Sequence, residues 1–178
     1  MNYKDTTHSE LEKLAAGGEA EAQFALGVRY AHGKGVAQDY ALAVRWLKEA
    51  ARRGHAGAED SLGVRYATGQ GVPADEAEAV RWFRRAAERG YCVAQFNLGL
   101  AYVHGSGVPQ DYQHAYAWFA LSAAQGDVIA EESRERTAEL LDRTALRRAK
   151  ILYHKLHQQI HGTKHDNGII NLAVAGNA

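Results

Sequence analysis

Four histidines near the C-terminus have a spacing typical of metal ligands: His154, His157, His161 and His165. The first three share one face of a predicted helix, where two neutral imidazoles one turn apart can bind zinc or nickel. No acidic side chain lies on that strip, and Lys150 lies one turn before His154. Because a single helix rarely supplies a closed coordination sphere, we interpret the histidines as a solvated polar face and predict no metal and no cofactor.

Three short glycine segments invite a phosphate-binding interpretation: GKG at 33–35, GQG at 69–71 and GSG at 105–107. They lack the third glycine of a dinucleotide fingerprint and the Gly-Lys-Ser/Thr ending of a P-loop. Each also follows a predicted helix, whereas phosphate-binding loops follow strands. We therefore predict helix caps and turns at these glycines.

The side chains that serve as nucleophiles form no recognisable catalytic motif. The chain has no G-x-S-x-G elbow, no Ser-x-x-Lys and no H-E-x-x-H. Its single cysteine, Cys92, aligns with Ala20 and Ala56, which predicts a small buried residue at a repeat junction, with a reactive thiol as the alternative. We predict no catalytic residues and no enzyme.

A repeated segment organises the chain. Residues 22–54, AQFALGVRYAHGKGVAQDYALAVRWLKEAARRG, recur with substitutions at 58–90 and 94–126, a period of 36 residues. Self-similarity at such a period is typical of a solenoid whose units bury their apolar faces against each other. We predict an all-α solenoid of helix pairs, with three repeats at 19–54, 55–90 and 91–126.

Each repeat is predicted to contain two helices. Apolar residues at i, i+4 and i+8 mark a first helix of about 13 residues, which ends at a glycine such as Gly33. An aspartate such as Asp39 then caps a second helix, which ends at Gly54. Gly27 has no side chain where the two helices must approach, while Trp46 fills space elsewhere.

The two ends depart from the repeat as solenoid caps do. Residues 1–18 are predicted to form an N-terminal capping helix, with Ser9 and Glu12 as its capping box. Residues 127–161 are predicted to be a partial repeat and a C-terminal capping helix, in which Asp142 or Thr144 is the N-cap. The last helix has an apolar seam that packs within the chain or pairs with a second copy: Leu146, Ala149, Tyr153, Leu156 and Ile160. Residues 162–178 are predicted to be a tail.

Composition limits the partners and the compartment. The 21 basic residues balance the 21 acidic ones, so no net field attracts nucleic acid or an anionic membrane. One cysteine forms no internal disulfide, which favours a reducing, cytoplasmic compartment. The first residues contain no signal-peptide core, unless such a segment was removed, and no stretch is apolar enough to span a membrane.

The motif L-G-x-x-Y, followed by G-x-G-V, D, A-x-x-W-[LF] and A-x-x-G, resembles the Sel-one-like repeat (SLR) family of tetratricopeptide-like superhelices, most closely its bacterial members. The resemblance covers residues 19–126. It implies right-handed stacking of antiparallel helix pairs, use as an adaptor or scaffold for protein complexes, and no chemistry.

The resemblance also implies a binding face, because the concave wall of these superhelices is built from the first helices. It points to these partner-binding residues: Phe24, Val28, His32, Asp60, Val64, Thr68, Phe96, Asn97, Leu100 and His104. The apolar members suit a peptide or helix with apolar anchors. The alternative is that the two phenylalanines pack between adjacent repeats.

Three hypotheses of function follow. The first is a non-enzymatic scaffold that binds a partner protein or peptide through this face. The second is a metal-dependent regulator or enzyme that uses the C-terminal histidines. The third is a structural module that self-associates through its last helix.

Overall fold

The computed structural model describes residues 6–169, with side chains described as far as residue 162. Within this range the chain has nine helices and no strand. The helices are α1 (His8–Ala16), α2 (Ala20–His32), α3 (Tyr40–Arg52), α4 (Ala56–Thr68), α5 (Glu76–Glu88), α6 (Cys92–His104), α7 (Tyr112–Ala123), α8 (Val128–Glu139) and α9 (Arg143–Ile169). The fold is an all-α solenoid, as predicted.

The chain divides into two compact units. Unit 1 comprises Met1–Ala87 and Ser106–Val108, and unit 2 comprises Glu88–Gly105 and Pro109–Ala178. In unit 1, α1 packs on α2, α2 on α3 and α3 on α4. In unit 2, α7 packs on α6, α8 and α9. None of the described helices is both long enough and apolar enough to cross a bilayer.

The loop between the two helices of a repeat has the predicted caps. The first helices α2, α4 and α6 end at Gly33, Gly69 and Gly105, which adopt left-handed φ angles of 66°, 69° and 70°. The Asp39 side chain accepts a hydrogen bond of 2.9 Å from the Leu42 N–H at the start of α3. The Asp39 N–H donates to the Tyr30 carbonyl at 2.9 Å, and the bond recurs at the same length 36 and 72 residues later. The same backbone hydrogen bond thus connects the two ends of the loop in each repeat.

The two helices of a repeat approach each other at a glycine. A Cβ atom built on Gly63 would lie 2.5 Å from the Phe83 ring, and one on Gly99 would lie 2.6 Å from the Phe119 ring. Such distances are shorter than any ordinary contact between a Cβ and a carbon atom. The aromatic ring of the second helix therefore occupies the volume that a side chain on the first helix would need.

Helix α1 begins at His8, before the predicted N-cap Ser9. The N-cap of α1 is Thr7, whose side chain accepts a hydrogen bond of 3.3 Å from the Glu10 N–H, so the prediction of Ser9 as N-cap is wrong. Thr7 and Glu10 have the same S/T-x-x-E spacing as Ser9 and Glu12. Starting at His8 adds helical residues ahead of Leu11, which is completely buried.

The last helix packs within the chain. Asp142 caps it, accepting a hydrogen bond of 2.7 Å from the Ala145 N–H. The seam residues Ala149 and Ile160 are buried, and α9 packs on α7. Part of the seam thus packs within the chain, and pairing with a second copy stays a prediction. The helix continues to Ile169, so the prediction of a tail from residue 162 is wrong for its first eight residues. A single glycine inside a helix costs only about 1 kcal/mol, so Gly162 does not end it.

A buried carboxylate distinguishes the middle repeat. In the first repeat the Gln23 side chain donates a hydrogen bond of 3.0 Å to the Ala15 carbonyl. Glu59 occupies the equivalent position, and its side chain is completely buried. It accepts hydrogen bonds from Arg85 Nη2 at 2.9 Å and Nε at 3.2 Å, and the guanidinium also lies 4.6 Å from the Trp82 ring centre. A charge at a buried position is thus compensated by a cation from α5.

We expect Arg85→Ala to lower the free energy of unfolding by about 3 kcal/mol, since it removes the cation that faces a buried charge. In a Glu59→Gln background the same substitution is expected to cost less than about 1 kcal/mol, because a neutral amide needs no counter-charge. Urea unfolding of the four proteins measures the difference. Equal costs of Arg85→Ala in both backgrounds would contradict the assigned role of the pair.

The same glycine-to-alanine change is expected to have opposite effects at two helical sites. Gly63→Ala should destabilise the protein by about 1–3 kcal/mol, because Phe83 must move away from the new methyl group. Gly162→Ala should stabilise it by up to about 1 kcal/mol, because that glycine is exposed and its Cβ would make only an ordinary contact of 3.5 Å with Gln158. Thermal unfolding compares the two, and a stable Gly63→Ala protein would refute the close approach.

Candidate functional site

His154, His157 and His161 lie on α9, as predicted for the last helix. The ring centres of His157 and His161 are 4.5 Å apart, and the Tyr153 ring lies 5.7 Å from that of His157. Among the described residues no group of three or more histidine, cysteine, aspartate or glutamate side chains has metal-binding geometry. The side chain of His165 lies outside the described residues. The second hypothesis thus gains no support from the part of the chain that the structure describes.

Cys92 lies in a polar junction, which corrects the prediction of a small hydrophobic residue. Its half-buried thiol is 3.2 Å from Ser122 Oγ and 4.0 Å from Asp127 Oδ2. Ser122 is completely buried, and its hydroxyl lies 2.9 Å from the same Asp127 oxygen and 3.0 Å from the Cys92 carbonyl. The other Asp127 oxygen caps α8. This cluster joins the start of α6, the end of α7 and the start of α8, a structural role. The sequence feature that could have indicated this cluster is Ser122, because the other two repeats have alanine at the equivalent position.

One aspartate and histidine pair was not predicted from the sequence. Asp111 Oδ2 lies 2.7 Å from His114 Nδ1, and the His114 ring stacks on Tyr102 with centres 4.9 Å apart. Asp111 also accepts hydrogen bonds from the backbone N–H groups of Gln113 and His114 at 2.8 and 3.1 Å. Burial raises the pKa of Asp111, but the hydrogen bonds from His114 and Gln113 together outweigh burial and leave that pKa below its ordinary value. The carboxylate is an N-cap to which the histidine adds a further bond.

In unit 1 the predicted binding residues divide into a packed set and an outer set. Phe24 packs against a buried cluster that includes Leu47 and Leu62, and its ring stacks on His55 at 4.4 Å. Asp60, at the equivalent position of the next repeat, is only 7% exposed. These contacts match the packing alternative for this position. The outer set comprises the half-buried Val28 and Val64 and the exposed His32 and Thr68.

Unit 2 has the same division. Phe96 is half-buried, with its ring centre 5.5 Å from that of the buried Phe119. Asn97 and Leu100 are half-buried, and His104 is exposed. The partner-binding role of all ten residues stays a prediction.

The structure adds apolar residues that were not predicted. Val93 on α6 is 47% exposed, and Ile129 and Leu140, at the start of α8 and just after its end, are 65% and 59% exposed. Val93 and Ile129 are 36 residues apart and so occupy equivalent positions. We call two rows of side chains the α6 stripe (Val93, Asn97, Leu100, His104) and the α8 stripe (Ile129, Arg136, Leu140). The members of each stripe recur at spacings of four, three or seven residues, which places them on one face of a helix.

Comparisons with known proteins bear on the fold and the family. The model of the Sel1 repeat family matches residues 20–55, 56–91 and 92–127. A solved structure of c5321, a protective antigen present in uropathogenic Escherichia coli strains that displays an SLR fold, is 31% identical with a TM-score of 0.81. That match covers 96% of this chain but 36% of that protein, so the chain spans about a third of its length. A Sel1 repeat protein from Oxalobacter formigenes is 40% identical with a TM-score of 0.65, over 72% of this chain and 96% of that one. The comparison with curated proteins gave no match.

The Asp111 cap is expected to make stability depend on pH in acid. Because the folded pKa is depressed, its contribution is complete above the unfolded pKa of about 3.9 and is lost as the pH falls through the folded pKa. Asp111→Ala should cost about 1 kcal/mol at neutral pH and progressively less below pH 4. Urea unfolding across the acid range measures this.

The control is His114→Leu, which places at position 114 the residue found at the equivalent position 42. Removing the imidazole ring that bonds the carboxylate should raise the pKa of Asp111. The stability contributed by the cap should then begin to fall at a higher pH. A carboxyl titration by NMR reports it directly. Titration of the wild-type group above its ordinary range would contradict the assignment.

Proposed function

We propose that this chain, which belongs to the Sel1 repeat family, binds a partner protein along the exposed faces of its first helices. Sel1 repeat proteins are generally protein-interaction scaffolds, and they typically have no enzymatic activity.

The observation that carries the proposal is the exposure of large aliphatic side chains on one face of each first helix in unit 2. Val93, Ile129 and Leu140 are each about half or more exposed, although burial of such side chains is favourable by about 1.5–3 kcal/mol. Soluble proteins that group exposed apolar residues among polar ones generally do so at interaction sites. Asn97 and Arg136 provide the polar members of the stripes.

In unit 1 the face is smaller and more polar. It consists of Val28 and His32 on α2 and of Val64 and Thr68 on α4. The Thr68 hydroxyl donates a hydrogen bond of 2.8 Å to the Val64 carbonyl within α4. Phe24 supports this surface from beneath, through its contacts with the buried cluster.

The surface favours a partner segment with apolar anchors. Aliphatic side chains at helical spacing suit a helix or an extended peptide that presents its own apolar residues. Because the chain has no net charge, we expect recognition by shape and apolar area, with little dependence of affinity on salt.

The test adds charge to the face without disturbing the core. The triple variant His32→Glu, Thr68→Glu, His104→Glu alters three exposed and equivalent positions, each one turn after an aliphatic residue of the face. Burying an unpaired carboxylate beneath a partner costs at least about 2 kcal/mol, so Kd should rise at least about 30-fold. Affinity capture from the native cell identifies the partner, and a titration with that partner gives Kd.

The matched control places glutamates on second helices. Ala41 and Ala77 are exposed and equivalent positions on α3 and α5. Ala41→Glu with Ala77→Glu should leave Kd and the melting temperature unchanged. A partner that binds the triple variant and the wild type equally would refute the proposed face.

A further inference from the structure

The outer side of α9 is strongly basic. Between residues 143 and 162 the chain has five lysine or arginine side chains and no aspartate or glutamate. All five are exposed, and none has an ion pair with a residue that the structure describes. They are Arg143, Arg147, Arg148, Lys150 and Lys155. Because like charges repel each other, an acidic surface laid against this side of the helix would be stabilising.

An exposed isoleucine lies in the middle of these charges. Ile151 is 60% exposed, whereas Ala149 is buried on the side of α9 that packs within unit 2. The neighbours of Ile151 on the helix surface, at i−4, i−3, i+3 and i+4, are Arg147, Arg148, His154 and Lys155. One apolar side chain is thus ringed by basic ones. We call Arg147, Arg148 and Ile151 the α9 face.

The exposed side of α8 has the opposite charge. Its four glutamates are all exposed: Glu131, Glu132, Glu135 and Glu139. The helix has two arginines beside them: Arg134 lies 3.4 Å from Glu131 and 3.5 Å from Glu135, and Arg136 lies 4.0 Å from Glu132. Exposed ion pairs within one helix are weak, so these carboxylates exchange them readily for the cations of another surface.

This acidic side also has an apolar residue, and its spacing matches that of the α9 face. Val128, the first residue of α8, is 66% exposed. We call Val128, Glu131 and Glu132 the α8 face. The two glutamates follow the valine by three and four residues, and the two arginines of the α9 face precede the isoleucine by the same intervals. At 1.5 Å per residue, each charged pair lies about 5–6 Å along the axis from its aliphatic residue.

From this complementarity we infer that the chain associates with a second copy of itself, the α8 face of one copy lying antiparallel on the α9 face of the other. The two aliphatic side chains pack together, and the two carboxylates face the two guanidinium groups. Each copy has both faces, so one kind of contact accounts for the association. The contact is small and charged, which places it among weak and salt-sensitive interfaces. It shares no residue with the α6 and α8 stripes and so does not rest on the proposed function.

The experiment reverses the charges of one face at a time and then mixes the two proteins. Sedimentation in about 50 mM salt gives Kd for self-association, which should rise at least about tenfold in about 0.5 M salt. Arg147→Glu with Arg148→Glu, or Glu131→Lys with Glu132→Lys, should raise it at least about 30-fold, because like charges then face each other. An equimolar mixture of the two double variants should associate to within about tenfold of the wild-type Kd, because the reversed faces are again complementary.

The matched control makes the same change of charge in unit 1. Arg45 and Arg81 are exposed and equivalent positions on α3 and α5. Arg45→Glu with Arg81→Glu should leave Kd unchanged. Ile151→Ser tests the apolar part without a change of charge and should raise Kd about fivefold or more, because the contact loses its largest aliphatic side chain.

Three results would overturn the inference. The first is a wild-type chain that stays monomeric at every concentration in low salt. The second is a mixture that stays monomeric although both double variants keep the wild-type melting temperature. The third is a monomer that sediments with vesicles of phosphatidylcholine and phosphatidylserine and loses this binding when the two arginines are reversed, which would assign the α9 face to an anionic membrane.

Discussion

The close approach of paired helices at a glycine is the constraint on which the rest of each repeat depends. With Phe83 and Phe119 against the backbones of Gly63 and Gly99, the first helix has no room to slide or rotate relative to the second. That contact decides which face of the first helix is covered. The residues one and five positions after the glycine point away from that contact: Val64 and Thr68 follow Gly63 in this way, the first half-buried and the second exposed to water.

The features predicted correctly from the sequence are those governed by local chemistry. Gly33 and its equivalents end the first helices because they adopt a left-handed conformation, and Asp39 caps the next helix because its carboxylate reaches free amides. Where two residues satisfy the same rule the sequence does not choose between them, as with Thr7 and Ser9. The earlier start places His8 within the helix, and its ring contacts Tyr30 of α2 with centres 5.7 Å apart, a tertiary contact that the local rule does not contain.

The packing around the candidate site could be predicted less fully from the sequence, because it depends on contacts between helices. Phe24 and Val28 are both apolar and one turn apart, and only the packed structure shows that Phe24 contacts the buried cluster while Val28 lies outward. Val93 could not be found as a repeated apolar position, since Glu21 and Gly57 stand at the equivalent places. The cluster of Cys92, Ser122 and Asp127 joins three helices and has no signature within any one of them.

Variation between repeats has different consequences on the two sides of a first helix. At the buried position of Gln23, a change to glutamate in the second repeat is accompanied by Arg85, because a charge there requires a partner. At the next position along the helix, Phe24 of the first repeat is replaced by Asp60 in the second. Both side chains pack against neighbouring residues, so this change also lies on the covered side of the helix. At the outer positions, such as His32 and its equivalent Thr68, no compensating residue is needed, because both side chains are exposed to water. Changes at the outer positions therefore carry little cost to the fold, which is why we propose that the exposed residues that differ between repeats form the recognition surface.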